Sequence, residues 1–544
     1  LGPVIGTLQG VALLLFAWTP LFATAPLRVV LDSGTIEGLE WDRTAVFLGI
    51  PYAAPPVGQR RWRPPVPPTK WSGVRTAKAF GAVCPQNAED LPGLRSRFAE
   101  IAPDFPYYTN PRMDEDCLSV NVWTRNIGGT SAPVMVWIHG GSNIGGTGAY
   151  PPFGPSLSAK GVVVVSFNYR LGALGFMAHP GLTSESPHRS SGNYGILDQI
   201  AALQWVQRNI AKFGGDPRNV TVFGESAGGV MACYLMASPL ARGLFHRAIL
   251  QSCTCRDYLS PELRRPVHSF AGKGTAEESG LQLAAKMGIR TLEDFRSRPA
   301  AEIVRASEDD PSILAYLYAG GTVDGWVLPE QPATIFSAGR QAKVPVLLGS
   351  NADEGTVTLG SFGEATVPHY RAWLKTQFDD YADEVFRSYP AAGNTAVRAA
   401  YLALTADYQR AQTVRSLAID MVRAGQRAYL YHLNYPSKGD YAREGLGTFH
   451  GMDLSFMGGG FFRKSRWGVP DVDDWKLAAI MTGFWTAFAA TGNPNKLPSP
   501  NWESYDPKAD RALQLGRDIK MIPVPRADRF AVFERIIAAR LAQR

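Results

Sequence analysis

The segment Gly224-Glu225-Ser226-Ala227-Gly228-Gly229 holds a serine with glycines two residues to either side. Small residues at those positions are what a sharp strand-to-helix turn requires if a serine hydroxyl is to stand exposed at its apex. The flanks supply both elements. Asn219-Val220-Thr221-Val222-Phe223 reads as a buried β run, and Ala227-Gly228-Gly229-Val230-Met231-Ala232 as a helix start with little bulk against a sheet. Ser226 then sits at the positive end of a helix, which stabilises an alkoxide or oxyanion. With about one glycine in ten residues, a Gly-x-Ser-x-Gly match arises by chance about 0.3 times in a chain this long. The other parts of an acyl-transfer site must therefore carry the assignment.

Those parts are donors for a tetrahedral oxyanion, a base for the hydroxyl and a carboxylate to orient the base. The run Val134-Met135-Val136-Trp137-Ile138 reads as a buried strand and empties into His139-Gly140-Gly141-Ser142-Asn143, a loop small enough for backbone N–H groups to approach a ligand. Gly141 and Ser142, with the N–H of Ala227, are the candidate oxyanion donors. The acid and then the histidine are expected to follow the serine in the chain. After the strand-like Val344-Pro345-Val346-Leu347-Leu348-Gly349 comes Ser350-Asn351-Ala352-Asp353-Glu354-Gly355, whose adjacent carboxylates Asp353 and Glu354 are both placed to orient a base. Three histidines lie beyond. His432 is inside a strand pattern and His369 in a polar segment, whereas His450 stands in the loop Gly447-Thr448-Phe449-His450-Gly451, from which an imidazole can reach a site. This chemistry calls for no metal and no organic cofactor.

The elements that must position these residues are those of one large α/β domain. The chain has 544 residues, 45% hydrophobic and 19% charged, with no linker, heptad array or internal repeat to mark a boundary. Residues 1 to 25 lack charged side chains and contain Val11-Ala12-Leu13-Leu14-Leu15-Phe16-Ala17-Trp18 followed by Ala23-Thr24-Ala25, the pattern of an export signal, so residues 26 to 544 are expected to form the mature domain. A secreted or periplasmic location follows, with no stable membrane insertion after cleavage. The five cysteines show no zinc-type spacing. In an exported protein Cys84 and Cys117 can bridge a Pro- and Tyr-rich loop, stabilising by about 3 to 4 kcal/mol in the chain-entropy model. Cys233 reads as a core residue behind Ser226, and Cys253 and Cys255 as two separate thiols. The net charge of +7 is scattered in pairs such as Arg60-Arg61 and Arg264-Arg265, without the aromatic interleaving of a nucleic-acid surface. A few arginines greeting an acidic substrate remain compatible with it.

Taken together, the chain resembles the type B carboxylesterases, the cholinesterase-like branch of the α/β-hydrolases, from about Val29 to Phe533. The resemblance rests on Phe47-Leu48-Gly49-Ile50-Pro51-Tyr52-Ala53, Glu115-Asp116-Cys117-Leu118-Ser119-Val120-Asn121-Val122-Trp123 and Asn168-Tyr169-Arg170-Leu171-Gly172. It continues through Gly192-Asn193-Tyr194-Gly195-Ile196-Leu197-Asp198-Gln199, the serine turn and Phe449-His450-Gly451-Met452-Asp453. It implies an α/β-hydrolase fold, a mostly parallel central sheet flanked by helices with helical insertions over the site. It assigns the acid to Glu354 over Asp353, the histidine to His450, the oxyanion donors to Gly141, Ser142 and Ala227, and the first disulfide to Cys84 and Cys117.

Departures from the family pattern bear on the substrate. Ser142 replaces a usual Gly or Ala, Asn143 a usual aromatic, and Cys253 a usual Gly. The resemblance implies hydrolysis of a small- to medium-sized organic ester through an acyl-enzyme. Bacterial members include fumonisin esterases, which release tricarballylic acid from a mycotoxin, and the polar Ser142-Asn143 wall and basic balance suit such a polycarboxylate ester. A broad aryl or alkyl esterase fits the same residues, as does an amidase or carbamate hydrolase. A binding-only adhesion protein on the same fold is disfavoured, because the serine, acid and histidine are all present.

Overall fold

A computed structural model describes residues 26–87, 112–149, 153–257, 259–269, 272–458, 466–495 and 500–542. The expected export signal, and most of the segment between Cys84 and Cys117, lie outside the described residues.

Eleven strands form one sheet. In chain order they are β1 (Leu39–Trp41), β2 (Thr44–Pro51), β3 (Ser119–Thr124), β4 (Ala132–Ile138), β5 (Val163–Phe167), β6 (Gly215–Glu225), β7 (Arg247–Gln251), β8 (Val346–Asn351), β9 (Ala428–Asn434), β10 (Arg511–Gly516) and β11 (Lys520–Pro523). Across the sheet the order is β11-β10-β9-β8-β7-β6-β4-β5-β3-β2-β1. From β10 to β5 all neighbours are parallel, and antiparallel strands finish both edges. The fold is that expected, a mostly parallel sheet between layers of helices.

The strands explain why both faces are covered. In β4, Val134, Val136 and Ile138 face one apolar core while Met135 and Trp137 face another, and β5 divides Val163 and Val165 from Val164 in the same way. Side chains alternate across a sheet, so a continuous apolar run needs cover on both sides. On the first face lie α1 (Tyr194–Asn209) and α2 (Ala227–Ala237), and on the second α3 (Val472–Thr491), whose Phe484, Trp485 and Phe488 are buried against the sheet. Removing one of these aromatics would cost about 3 to 5 kcal/mol.

The crossing pattern fixes where a site can form. β5 lies on one side of β4 and β6 on the other, so the chain reverses direction across the sheet at β4. In open parallel sheets such a reversal leaves a crevice at the carboxyl ends of the strands. The loop after β4 and the turn after β6 both open into it. β6 begins earlier than the apolar run suggested, at Gly215, because Gly215 pairs with Ala132 across a register shift before the regular pairing of Val134 with Val220.

The stretches that carried the family resemblance are joints between these elements. Arg170 donates to both carboxylate oxygens of Asp198 at 2.7 Å, fixing the loop after β5 to α1. Asn168 accepts from Gly148 N and donates to the carbonyls of Ala82 and Cys117. Tyr52 Oη donates to Asn168 O at 2.7 Å.

Candidate functional site

Ser226 stands between β6 and α2 with φ 57° and ψ −126°, a strained conformation for a residue with a side chain. Its N–H donates to Gln251 O at the end of β7, which holds the turn to the sheet. The glycines are required by contact. A Cβ on Gly224 would lie 2.4 Å from Gly228 C and O, and one on Gly228 would lie 2.1 Å from Ile138 O. Any larger residue would push α2 away from β4 and β6.

His450 joins this serine to a carboxylate. Its Nε2 lies 2.8 Å from Ser226 Oγ and its Nδ1 lies 2.5 Å from Glu354 Oε2. Glu354 follows β8 and is itself fixed: its Oε1 accepts from Ser252 Oγ at 2.5 Å and from Asn351 N at 2.7 Å. The neighbouring Asp353 has a different task. It accepts from Thr448 N at 2.7 Å, while its own N–H donates to Thr448 O, so it pins the loop that carries His450. The other two histidines are elsewhere. His432 is buried in β9, its imidazole pushed down to about 4 by burial, and the His369 ring contacts Phe362 O.

The loop after β4 lines the other side of the serine. Gly141 has φ 109°, Ser142 φ 55° and Asn143 φ 61°, and the loop closes on itself where the N–H groups of Ile144 and Gly145 donate to Gly141 O. Among the described residues, Gly141 and Ser142 donate no N–H to another backbone carbonyl. A Cβ on Gly140 would lie 3.3 Å from Ser226 Cβ, which measures how closely loop and serine approach. The loop is held from beneath. The His139 ring stacks on Tyr169, whose hydroxyl donates to His139 O, and burial keeps that imidazole down at about 4 and neutral. Gln86 accepts from Gly146 N and donates to Cys84 O, tying the loop to the Cys84–Cys117 disulfide. Asn143 is buried and points away from solvent, its Nδ2 donating to Tyr318 O.

Two residues at the site carried no signal in the sequence reading. Glu225, directly before Ser226 in the turn, is buried, and its Oε1 lies 3.2 Å from His450 Nε2. Burial and the neighbouring Asp453 and Glu354 charges push its carboxyl up to about 7, against the pull of His450. Ser252, the residue after β7, supports Glu354 from a neighbouring strand. Only its place directly before Ser226 pointed to Glu225, and nothing local marks Ser252.

Burial works against the charged forms of both His450 and Glu354, and the charges and hydrogen bonds around them outweigh it. The imidazole is raised above its ordinary value because Glu225 and Glu354 overcome its desolvation. Glu354 is held below the ordinary carboxylate value, its own desolvation being overcome by His450, Arg410 and Ser252. Below this layer Asp453 accepts from Gln251 Nε2 and Tyr431 Oη, with burial pushing its carboxyl up.

Cys84 and Cys117 form a disulfide, and so do Cys233 and Cys255. Cys233 is buried on α2 as expected, but its bond to Cys255, which ties that helix to the loop after β7, was not foreseen. Cys253 stays a thiol, buried against Gly229, and burial pushes it up to about 12. Among the described residues no group of three or more acidic, histidine or cysteine side chains is arranged to hold a metal ion. No helix among them is long and apolar enough to cross a membrane.

Comparison with known proteins identifies the family. Residues 25–533 match the profile of the Carboxylesterase family. The chain is 37% identical over 492 residues to a fumonisin B1 esterase of Sphingopyxis macrogoltabida, covering 88% of this chain and 84% of that protein. It is 32% identical over 512 residues to a para-nitrobenzyl esterase of Bacillus subtilis (strain 168), covering 92% and 97%. Among solved structures, a PNB esterase superposes with a TM-score of 0.78 at 30% identity, over 93% of this chain and 99% of that one.

Proposed function

The chain belongs to the carboxylesterase family and is a carboxylic ester hydrolase, and from that premise we propose that it works through a covalent acyl-enzyme on Ser226. His450 Nε2 takes the hydroxyl proton as Oγ attacks the ester carbonyl carbon. The oxyanion is held by the N–H groups of Gly141, Ser142 and Ala227, the last at the positive end of α2. The carbon–oxygen bond to the alcohol then breaks, and the imidazolium returns the proton to the departing alkoxide. Water, deprotonated by His450, repeats the attack on the acyl-enzyme and releases the acid. Glu354 keeps Nδ1 protonated and compensates the charge on the ring.

The observation that carries this reading is that His450 meets Ser226 Oγ with one nitrogen and Glu354 with the other, at 2.8 Å and 2.5 Å. Such a row serves a general base that must change charge twice per turnover. A fluorophosphonate probe tests it. One equivalent of covalent label on the peptide containing Ser226, with parallel loss of esterase activity, is expected. Labelling of another serine, or full activity after complete labelling of Ser226, would overturn it.

For the substrate, the similarity to the Sphingopyxis macrogoltabida protein favours a fumonisin-type ester, in which the acyl group is a polycarboxylate, over a plain alkyl or aryl ester. We also propose that residues 26 to 544 act as a single exported domain. Two disulfides, which persist in oxidising compartments, support that location.

A further inference from the structure

The helix Pro311–Ala319 is far from the serine turn in the chain, yet it ends against the loop after β4. Its start is set locally: Asp310 Oδ1 accepts from Ser312 N and Ile313 N, and Pro311 fills a first position that needs no N–H partner. Tyr316 Oη donates to Phe176 O at 2.8 Å and ties the helix to the body of the protein. Its end is set by Gly320, whose φ of 65° turns the chain away.

The last carbonyls of a helix have no donor within it and need outside partners. Here each of the last three has one. Leu317 O accepts from Gly320 N, and Ala319 O from Tyr234 Oη at 3.0 Å. Tyr318 O accepts from Asn143 Nδ2, also at 3.0 Å, across 175 residues of chain. Since a carbonyl only accepts, the amide nitrogen of Asn143 must be the atom that faces it. Asn143 Oδ1 is buried and accepts nothing among the described residues. All the side-chain hydrogen bonding of this asparagine therefore goes to the helix end.

The backbone of Asn143 needs such a tie. Ser142 and Asn143 stand in succession at φ 55° and 61°, a left-handed pair that residues with side chains rarely adopt and that persists only where neighbours impose it. Asparagine tolerates the conformation better than most residues. Gly172 N, donating to Asn143 O at 2.7 Å, holds the main chain, and Tyr318 O holds the side chain. The helix is shaped to receive it: a Cβ on Gly320 would lie 2.1 Å from Asn143 Nδ2. If the side chain were released, relaxation of either φ toward negative values would swing the N–H of Ser142 relative to Ser226.

We propose that Asn143 is a positioning residue for the reaction: its amide latches the loop after β4 to the end of the helix Pro311–Ala319, and this bond sets the direction of the N–H groups that receive the oxyanion. It rests on the acyl-enzyme reading and deepens it, by placing the control of those donors in a helix outside the catalytic row.

Three variants of the full-length protein test it. Asn143→Asp keeps the shape of the side chain and replaces the donor by an acceptor. Asn143→Gly accepts the positive φ without cost and has no side chain to bond. Gly320→Ala places a methyl where the Asn143 amide sits and leaves the loop itself unchanged. The readouts are kcat and KM on p-nitrophenyl butyrate and the inhibition constant of an aryl trifluoromethyl ketone, whose adduct with a serine carries an oxyanion. In each variant kcat is expected to fall about 10- to 100-fold with KM within about threefold, and inhibition to weaken by the factor lost from kcat/KM. The double variant Asn143→Gly with Gly320→Ala is expected to be no slower than the slower single one, since both remove the same bond. If kcat in both Asn143 variants stays within about threefold of the parent, the proposal is wrong. It is equally wrong if losses appear only in melting temperature or KM, or if they multiply in the double variant. Should Gly320→Ala fail to fold, the two Asn143 variants and the inhibitor decide the matter. If the ketone does not inhibit the unmodified protein, the acyl-enzyme reading itself fails, a separate result.

Discussion

Glu225 Oε1 lies 3.2 Å from His450 Nε2, the same nitrogen that meets Ser226 Oγ at 2.8 Å. The imidazole thus has a carboxylate on each side, Glu354 at Nδ1 and Glu225 beside Nε2, and both favour its protonated form. A base that must be neutral to accept the serine proton is therefore held in a field that raises its pKa.

The sign of the pH dependence follows. Activity falls as pH drops through the raised pKa of His450, because the protonated ring accepts nothing. Glu225→Gln removes one of the two carboxylates, so the acid limb of the kcat/KM profile moves to lower pH. Since the groups are coupled, the limb reports the cluster as a whole. An unmoved limb, or one displaced upward, would show that Glu225 does not act on the imidazole.

Glu225 also affects stability. Its carboxyl is raised in the folded protein from an ordinary 4.5 to about 7, mainly by burial. The folded state then holds a proton that the unfolded chain releases, and this contribution is fully present below 4.5 and lost as pH rises through 7. Glu225→Gln, which does not ionise, flattens that part of the curve. Melting temperatures of the two proteins across pH 4 to 8 check it: the variant's relative stability should grow with pH.

Ser252 donates to Glu354 Oε1 at 2.5 Å without touching the serine or the imidazole. Ser252→Ala should lower kcat by about 10-fold, through a less firmly held carboxylate, with little change in KM. It should also raise Glu354 and so alter the pH profile. A variant with unchanged kcat and unchanged profile would show that Asn351 N alone fixes the carboxylate.

The Arg170–Asp198 pair is a structural joint. Both side chains are buried, at 4% and 0% exposure. Replacing Asp198 with Asn leaves the guanidinium without its counter-charge, which should cost about 3 to 5 kcal/mol in urea unfolding. A loss below 1 kcal/mol would mean that water reaches the pair.

These relationships show where the sequence was readable. The serine turn declares itself because it needs small residues at fixed offsets, and the distances from Gly224 and Gly228 to their neighbours give the reason. The parallel sheet declares itself in the Val- and Ile-rich runs of β4 and β5, apolar at consecutive positions because both faces are covered. The two adjacent acids did not separate on pattern alone: Asp353 and Glu354 differ only in which way the chain leaves β8, and the family resemblance made that choice. Ser252 bears on the site through Glu354 and Glu225 through His450, pairings between residues far apart in the chain, and no local pattern encodes those. The bond between Cys233 and Cys255 is of the same kind, created by the packing of α2 on the loop after β7.

Whether Ser226 is the nucleophile is decided by comparing the purified protein with Ser226→Ala on p-nitrophenyl butyrate. Turnover by the unmodified protein is expected, with a fall in kcat of about 10⁴- to 10⁶-fold in the variant, which keeps its fold by circular dichroism. Hydrolysis by Ser226→Ala within about tenfold of the parent would contradict it.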